Sequence, residues 1–207
     1  MRALTGLAAL VLASSLPWSA PRAPATLSAV PPPPIDGHRA SPGLSEEGAM
    51  TFTLTSPDFT AGGPIPKRFT CEGDDVSPAL AWSGVPAAAK SVVLIVDDPD
   101  APDPKAPKMT WVHWVLYDMP PATTGLPAAV SPSALPAGTR EGVDDWKRTG
   151  YGGPCPPVGR HRYFFKLFAL DTVLGDLHRP TRAQVEQAMA GHVVARAELV
   201  GTYQKGR

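Results

Sequence analysis

The segment from Tyr151 to Phe165 reads YGGPCPPVGRHRYFF, and its residue types are those of an anion site. Gly152 and Gly153, followed by a stiff proline run, lead directly into a strand-like stretch. His161 and Tyr163 stand two residues apart, so the pleat of a strand points both side chains to one face. Glycines open backbone N–H groups to close approach, and an imidazole and a phenol beside them add side-chain donors. The chemistry expected of this set is the holding of an oxyanion.

Two other segments carry residues that would complete such a pocket. SVVLIVDDPDAPDP ends an apolar run in acids, and Pro99 stops the strand there, presenting Asp98 and Asp100 at its end. Alone, an acidic surface turn is the commoner meaning of that pattern. In MTWVHWVLYD, alternation sets Trp111, His113 and Val115 on one face and Val112, Trp114 and Leu116 on the other. A buried imidazole must find partners, and a single one is more often a satisfied core residue than a ligand-binding one. The coincidence of three such features points to a functional pocket. Glycine N–H groups, a protonated histidine and the Tyr163 hydroxyl can all donate to phosphate oxygens, and charge-assisted bonds are the stronger kind. Asp98 would then hold an imidazolium or accept a ligand's ammonium, with Trp111 or Trp114 offering an aromatic face to that cation. Phosphate affinity is expected to fall as pH rises through the pocket histidine's pKa.

Two alternatives stand beside binding. Asp98, His113 and His161 would suit general acid–base work on a phosphoester. However, the chain has no G-x-S-x-G elbow, and the pocket strands offer no nucleophile. Asp98 and His113 also lack metal-ligand spacing. No catalytic residue, metal or cofactor is therefore assigned. The other alternative is a secreted structural domain in which the same residues only pack. Binding ranks first, structure second and catalysis third.

The elements that must position these residues are mostly strands. Short apolar runs bounded by turn residues predict strands over 51–55, 68–71, 80–82, 91–97, 110–118, 161–170 and 193–202. Only 181–190 reads as a helix, with Thr181 as N-cap, Val185 and Met189 four apart, and Gly191 at the stop. The segment 120–136, rich in Ala, Pro, Ser and Thr, is expected to be a long surface loop. Many strands with one helix predict a mainly β fold, two antiparallel sheets packed as a sandwich. SVVLIVD and WVHWVLYD are apolar on both faces and should be central strands covered on each side.

The chain has 207 residues, a formal net charge of zero, 26 Pro and no Asn. Zero net charge without blocks of like charge excludes a basic nucleic-acid face. Arg2, the apolar run 7–13 and Ala23-Pro24-Ala25 predict a signal peptide over 1–25 and an exported, periplasmic or secreted protein. The apolar run is shorter than the roughly 20 residues that a membrane span requires, so no transmembrane segment is expected. Residues 26–49, with Pro31 to Pro34, read as a flexible linker, and the folded domain is expected over 50–207. Cys71 and Cys155 are the only cysteines. They would bridge in an oxidising compartment and stay two thiols in a reducing one.

FTCEGDDVSPALAW, VDDPDAP, WVHWVLYDMP, TGYGGPCPP and HRYFFKLFALD, in this order, resemble the phosphatidylethanolamine-binding protein family, in its bacterial Raf kinase inhibitor-like branch. The resemblance implies two antiparallel sheets, a C-terminal helical element and a small anion pocket that takes phosphate groups, including a phospholipid head group. It implies ligand-binding roles for Asp98, Asp100, His113, Gly152, Gly153, Pro154, His161 and Tyr163. It also implies a protein partner, a kinase or a protease, whose activity occupancy would modulate. The chain departs from the pattern in GVDDWKRTG, where relatives often carry Asn.

Overall fold

The computed structural model describes residues 51–206; the leader and linker expected over 1–25 and 26–49 lie outside the described residues. Along the described chain the strands are β1 (Thr53–Thr55), β2 (Leu80–Ser83), β3 (Ser91–Asp98), β4 (Trp111–Met119), β5 (Gly125–Leu126), β6 (Arg140–Glu141), β7 (His161–Leu170) and β8 (Val193–Tyr203), with a helix α1 (Arg182–Ala188) between the last two. Five strands form one sheet in the order β6-β4-β3-β7-β8, and β1-β2-β5 form a second. Every pairing within them is antiparallel.

β3 is buried at all eight positions because both of its faces are covered. Leu94 and Val96 meet Leu54, Trp82, Trp114, Phe165 and Leu199 in the core between the sheets. Val93 and Ile95 face the other way and pack with Val115, Tyr117, Leu170, Val185 and Met189 beneath α1. The helix begins where a capping box satisfies its first turn: Thr181 accepts from the Gln184 N–H, and Gln184 accepts from the Thr181 N–H. Among the described residues no helix is long and apolar enough to cross a membrane.

Three local expectations are corrected. Residues 68–71 are not a strand: Lys67–Phe69 forms a 3₁₀ turn, entered at Pro66 and closed by the Phe69 N–H on the Pro66 carbonyl at 3.0 Å. The 120–136 segment is not wholly loop, since β5 adds to the edge of β2 and buries Leu126 opposite Leu80. The third correction concerns β4, where the register against β3 runs Val96↔Trp114 and then Asp97↔Val112. His113 is the extra residue of a β-bulge, so Val112 joins the core beneath α1 while Trp114 joins the core between the sheets. Strict alternation had set these two on one face.

Candidate functional site

The end of β3 and the beginnings of β4 and β7 lie together because the strands are antiparallel neighbours. There they bring Asp98, Trp111, His113 and His161 around a cavity of about 270 Å³. Ala101, Pro102 and Met109 from the β3–β4 connection complete the wall, together with Trp146 and the Cys155, Pro156 and Pro157 run.

Asp98 and His161 form a buried pair, Nδ1 to Oδ2 at 2.6 Å. The other Asp98 oxygen accepts the Asp100 N–H at 2.8 Å, and His161 Nε2–H donates to the Val158 carbonyl at 3.0 Å. Burial pushes the Asp98 carboxyl above the usual carboxylate range, opposed by the bonds from His161 and the Asp100 N–H. Both polar ends of this pair are occupied by protein.

His113 is held differently. Its Nδ1–H donates to the Gly152 carbonyl at 2.6 Å, and the Gly152 N–H returns a bond to the His113 carbonyl at 2.9 Å. A carbonyl only accepts, so the proton sits on Nδ1. Burial pushes the imidazole down from its ordinary value to about 4, against the raising effects of the Gly152 bond, Asp75 and Asp145. At neutral pH His113 is therefore uncharged and its Nε2 carries a bare lone pair. The sequence-based expectation of a protonated donor histidine is corrected for His113.

The glycines are also corrected. The Gly152 N–H is spent on His113, and the Gly153 N–H donates to Asp75 Oδ1 at 2.7 Å, so neither faces a ligand. Close approach explains why both positions are glycine. A Cβ on Gly152 would lie 2.4 Å from the Trp146 ring, and one on Gly153 would lie 2.6 Å from the Phe69 carbonyl oxygen. Pro154 gives its carbonyl to the Cys71 N–H at 3.2 Å, and Pro156 and Pro157 line the cavity in its place.

Asp100 turns away from the cavity. Its carboxylate takes the Arg162 guanidinium in a fork of 2.9 and 2.7 Å and also accepts the Arg162 N–H at 2.9 Å. Those Arg162 bonds hold its pKa below the usual range. Tyr163 lies within the core between the sheets, its ring centroid 5.2 Å from His113 and 6.5 Å from His161. Burial pushes its hydroxyl above the ordinary value, and the hydroxyl has no partner among the described residues. Cys71 and Cys155 are joined in a disulfide with Cα atoms 5.4 Å apart, which ties the 3₁₀ turn's loop to the cavity rim.

Trp146 and Met109 line the cavity and Asp145 anchors the loop that carries Trp146, although none of the three has a binding role assigned from sequence. Trp146 stands edge-on to both Trp111 (5.3 Å) and His113 (5.2 Å). Asp145 places that loop by accepting the Val112 N–H at 2.8 Å and donating its own N–H to the Val112 carbonyl at 3.1 Å. A tryptophan inside the polar run DDWKR was the available signal. Among the described residues none of those lining the cavity is Lys or Arg.

A small, largely apolar cavity at the strand ends of the five-stranded sheet, with a carboxylate and two imidazoles in its wall, gives this mainly β protein a ligand-sized site. The family model for phosphatidylethanolamine-binding protein matches residues 55–204. A "UPF0098 protein" of Methanothermobacter thermautotrophicus is 48% identical over 156 residues, covering 75% of this chain and all of that protein. A solved phosphatidylethanolamine-binding protein homologue from Chlamydia trachomatis shares 42% identity at a TM-score of 0.69, covering 75% of this chain and 99% of that one. YbcL of E. coli, described as a member of the mammalian family, shares 32% at 0.68 with the same coverage. This chain belongs to the phosphatidylethanolamine-binding protein family.

Proposed function

We propose that the protein binds a phosphate-bearing small molecule or head group in this cavity and performs no chemistry on it. The observation that carries this is an inventory of unpartnered groups. Among the side-chain polar atoms of the lining residues, one acceptor, His113 Nε2, and one buried donor, the indole N–H of Trp111, have no hydrogen-bond partner among the described residues. Unpaired polar groups at a buried site call for a ligand or water. A phosphoryl group supplies both kinds of partner, oxygen acceptors and a hydroxyl donor. Family membership supports ligand binding.

The absence of chemistry rests on the wall itself. The Cys155 sulfur is held in the disulfide, Asp98 and His161 are engaged with each other, and no hydroxyl-bearing side chain lines the cavity among the described residues. The leader expected over 1–25 and a disulfide in the folded domain both suit an exported protein. Thermal unfolding with O-phosphoethanolamine at pH 6 tests the proposal. Saturation at 100 times Kd stabilises by about 2.7 kcal/mol, several degrees in Tm. The expected result is that shift, lost in His113→Ala, with no inorganic phosphate released. Release of phosphate abolished by His113→Ala would replace binding with catalysis, and no shift with any phosphate compound would remove the proposal.

A further inference from the structure

We propose that the Cys71–Cys155 bond is a thiol-exchange site that opens while the protein stays folded. Its cleavage sets the Cys155 thiol free in the cavity wall, where a bound ligand controls its modification. The ligand control rests on the binding proposal above; the cleavage does not.

Exposure separates this bond from a core disulfide. Cys71 and Cys155 are both exposed, although Phe69 and Thr70 before the first and Pro154 and Pro156 on either side of the second are buried. The sulfur link therefore spans the outside of a packed contact. Exposed disulfides are the labile, regulatory kind, because an attacking thiolate reaches them without opening the core. The two ends also differ in what they face. Cys155 lines the cavity, in the same wall as His113 and His161, whereas Cys71 does not.

Both loops are tied by bonds independent of the sulfur link. Cys71 donates its N–H to the carbonyl of Pro154, the residue before Cys155, at 3.2 Å. The neighbours of Cys71 are held as well. The Thr70 hydroxyl donates to the Lys67 carbonyl at 2.8 Å, and Glu72 accepts the Gly206 N–H at 3.0 Å and the Tyr203 hydroxyl. On the other loop, the Gly153 N–H reaches Asp75 at 2.7 Å and the Tyr151 hydroxyl reaches the Phe69 carbonyl at 3.0 Å. Cleavage thus leaves the two sulfurs as neighbours, and closing the bond again needs no search through unfolded chain.

The exchange balances with a dithiol as the reductant. One thiolate of the dithiol attacks Cys71 Sγ, the S–S bond breaks, and Cys155 leaves as a thiolate that takes up a proton. The second thiolate then attacks the dithiol's own sulfur in the mixed disulfide and displaces Cys71, which is protonated in turn. The dithiol ends as a disulfide, and its electron pair and protons pass to the protein. A sulfur that the intact bond keeps inert now belongs to the cavity. A ligand filling the cavity covers it, while Cys71, outside the wall, stays open to small electrophiles.

Cleavage of the full chain by dithiothreitol at pH 8 tests this, followed by circular dichroism and, after removal of the dithiol, by mass mapping of iodoacetamide-labelled cysteines. The cleavage rate should change by less than about twofold with urea below the unfolding transition, whereas a route through global unfolding would accelerate about fivefold or more per molar urea. That acceleration, or loss of the native spectrum on reduction, overturns the proposal. With O-phosphoethanolamine at about 100 times Kd, labelling of Cys155 should slow at least about tenfold and that of Cys71 less than about twofold. Calorimetric binding of the ligand to the reduced protein with equal protection of the two cysteines, or with none, overturns the ligand control. No binding to either the reduced or the oxidised protein removes the binding proposal and the ligand control with it, and the urea dependence still decides the cleavage. Cys71→Ser, which presents the Cys155 thiol without reductant, should show the same protection as the chemically reduced wild type.

Discussion

Reducing the Cys71–Cys155 bond should lower stability far more than it alters the folded structure. The bond closes a loop of 84 residues in sequence separation. Constraining a loop of that length removes about 15 cal/mol/K from the unfolded chain, or about 4.5 kcal/mol at 25 °C. The folded loops have other ties. The Cys71 N–H reaches the Pro154 carbonyl at 3.2 Å, Tyr151 donates its hydroxyl to the Phe69 carbonyl at 3.0 Å, and the Gly153 N–H holds Asp75. These bonds persist without the sulfur link, so the effect falls on the unfolded state. At about 2–4 °C per kcal/mol for a domain of this size, Tm should fall by roughly 9–18 °C. Thermal and urea unfolding of the Cys71→Ser/Cys155→Ser variant, compared with the oxidised protein, reads this directly. The urea m-value should rise, because the unlinked chain exposes more surface when unfolded. A Tm within about 3 °C of the oxidised protein, with circular dichroism unchanged, would refute the loop-entropy reasoning.

Acid sensitivity should follow His113. A buried imidazole held near pH 4 against an ordinary value of 6.5 leaves the unfolded chain binding more protons between those limits. Stability is therefore lost as pH falls through that window, by about 3 kcal/mol in total, and His113→Asn should lose less over it in urea titrations. Asp98→Asn should destabilise by about 3–5 kcal/mol because it strips the buried His161 of its carboxylate; a loss of under 1 kcal/mol by denaturant titration would contradict the pairing. Asp100→Asn, in contrast, should leave ligand affinity within about twofold of wild type by calorimetry, because its carboxylate serves Arg162 outside the cavity. Gly153→Ala should cost about 1–3 kcal/mol by overpacking against the backbone of Phe69 and Thr70, measured as a shift in the urea midpoint.

Much of the architecture was legible because local pattern and burial agree. The apolar runs at 91–97 and 110–118 become the central β3 and β4, and Thr181 caps the helix as its sequence suggests. Asp98, His113 and His161 also meet in one cavity, since strand ends of antiparallel neighbours converge. What failed depended on partners distant in sequence. Gly152 and Gly153 look like open donors in YGGP, yet His113 and Asp75 consume their N–H groups across 39 and 78 residues. Asp100 sits in an acidic run but is claimed by Arg162, 62 residues on. The bulge at His113 is a register event between β3 and β4 that alternation within a single strand cannot reveal. Cys71 and Cys155 left bridge and thiols equally open, and their 5.4 Å Cα separation is a product of the fold.

The central claim is that His113 offers a bare Nε2 to a phosphate-bearing ligand, and nitrogen-15 NMR of histidine-labelled protein reports it most directly. In the free protein at pH 7, His113 should show a protonated Nδ1 and an unprotonated Nε2. Addition of O-phosphoethanolamine at pH 6 should move the Nε2 resonance toward its hydrogen-bonded position and leave Nδ1 in place. A His113 already protonated at Nε2 in the free protein, or an Nε2 resonance unmoved at saturating ligand, would contradict the account.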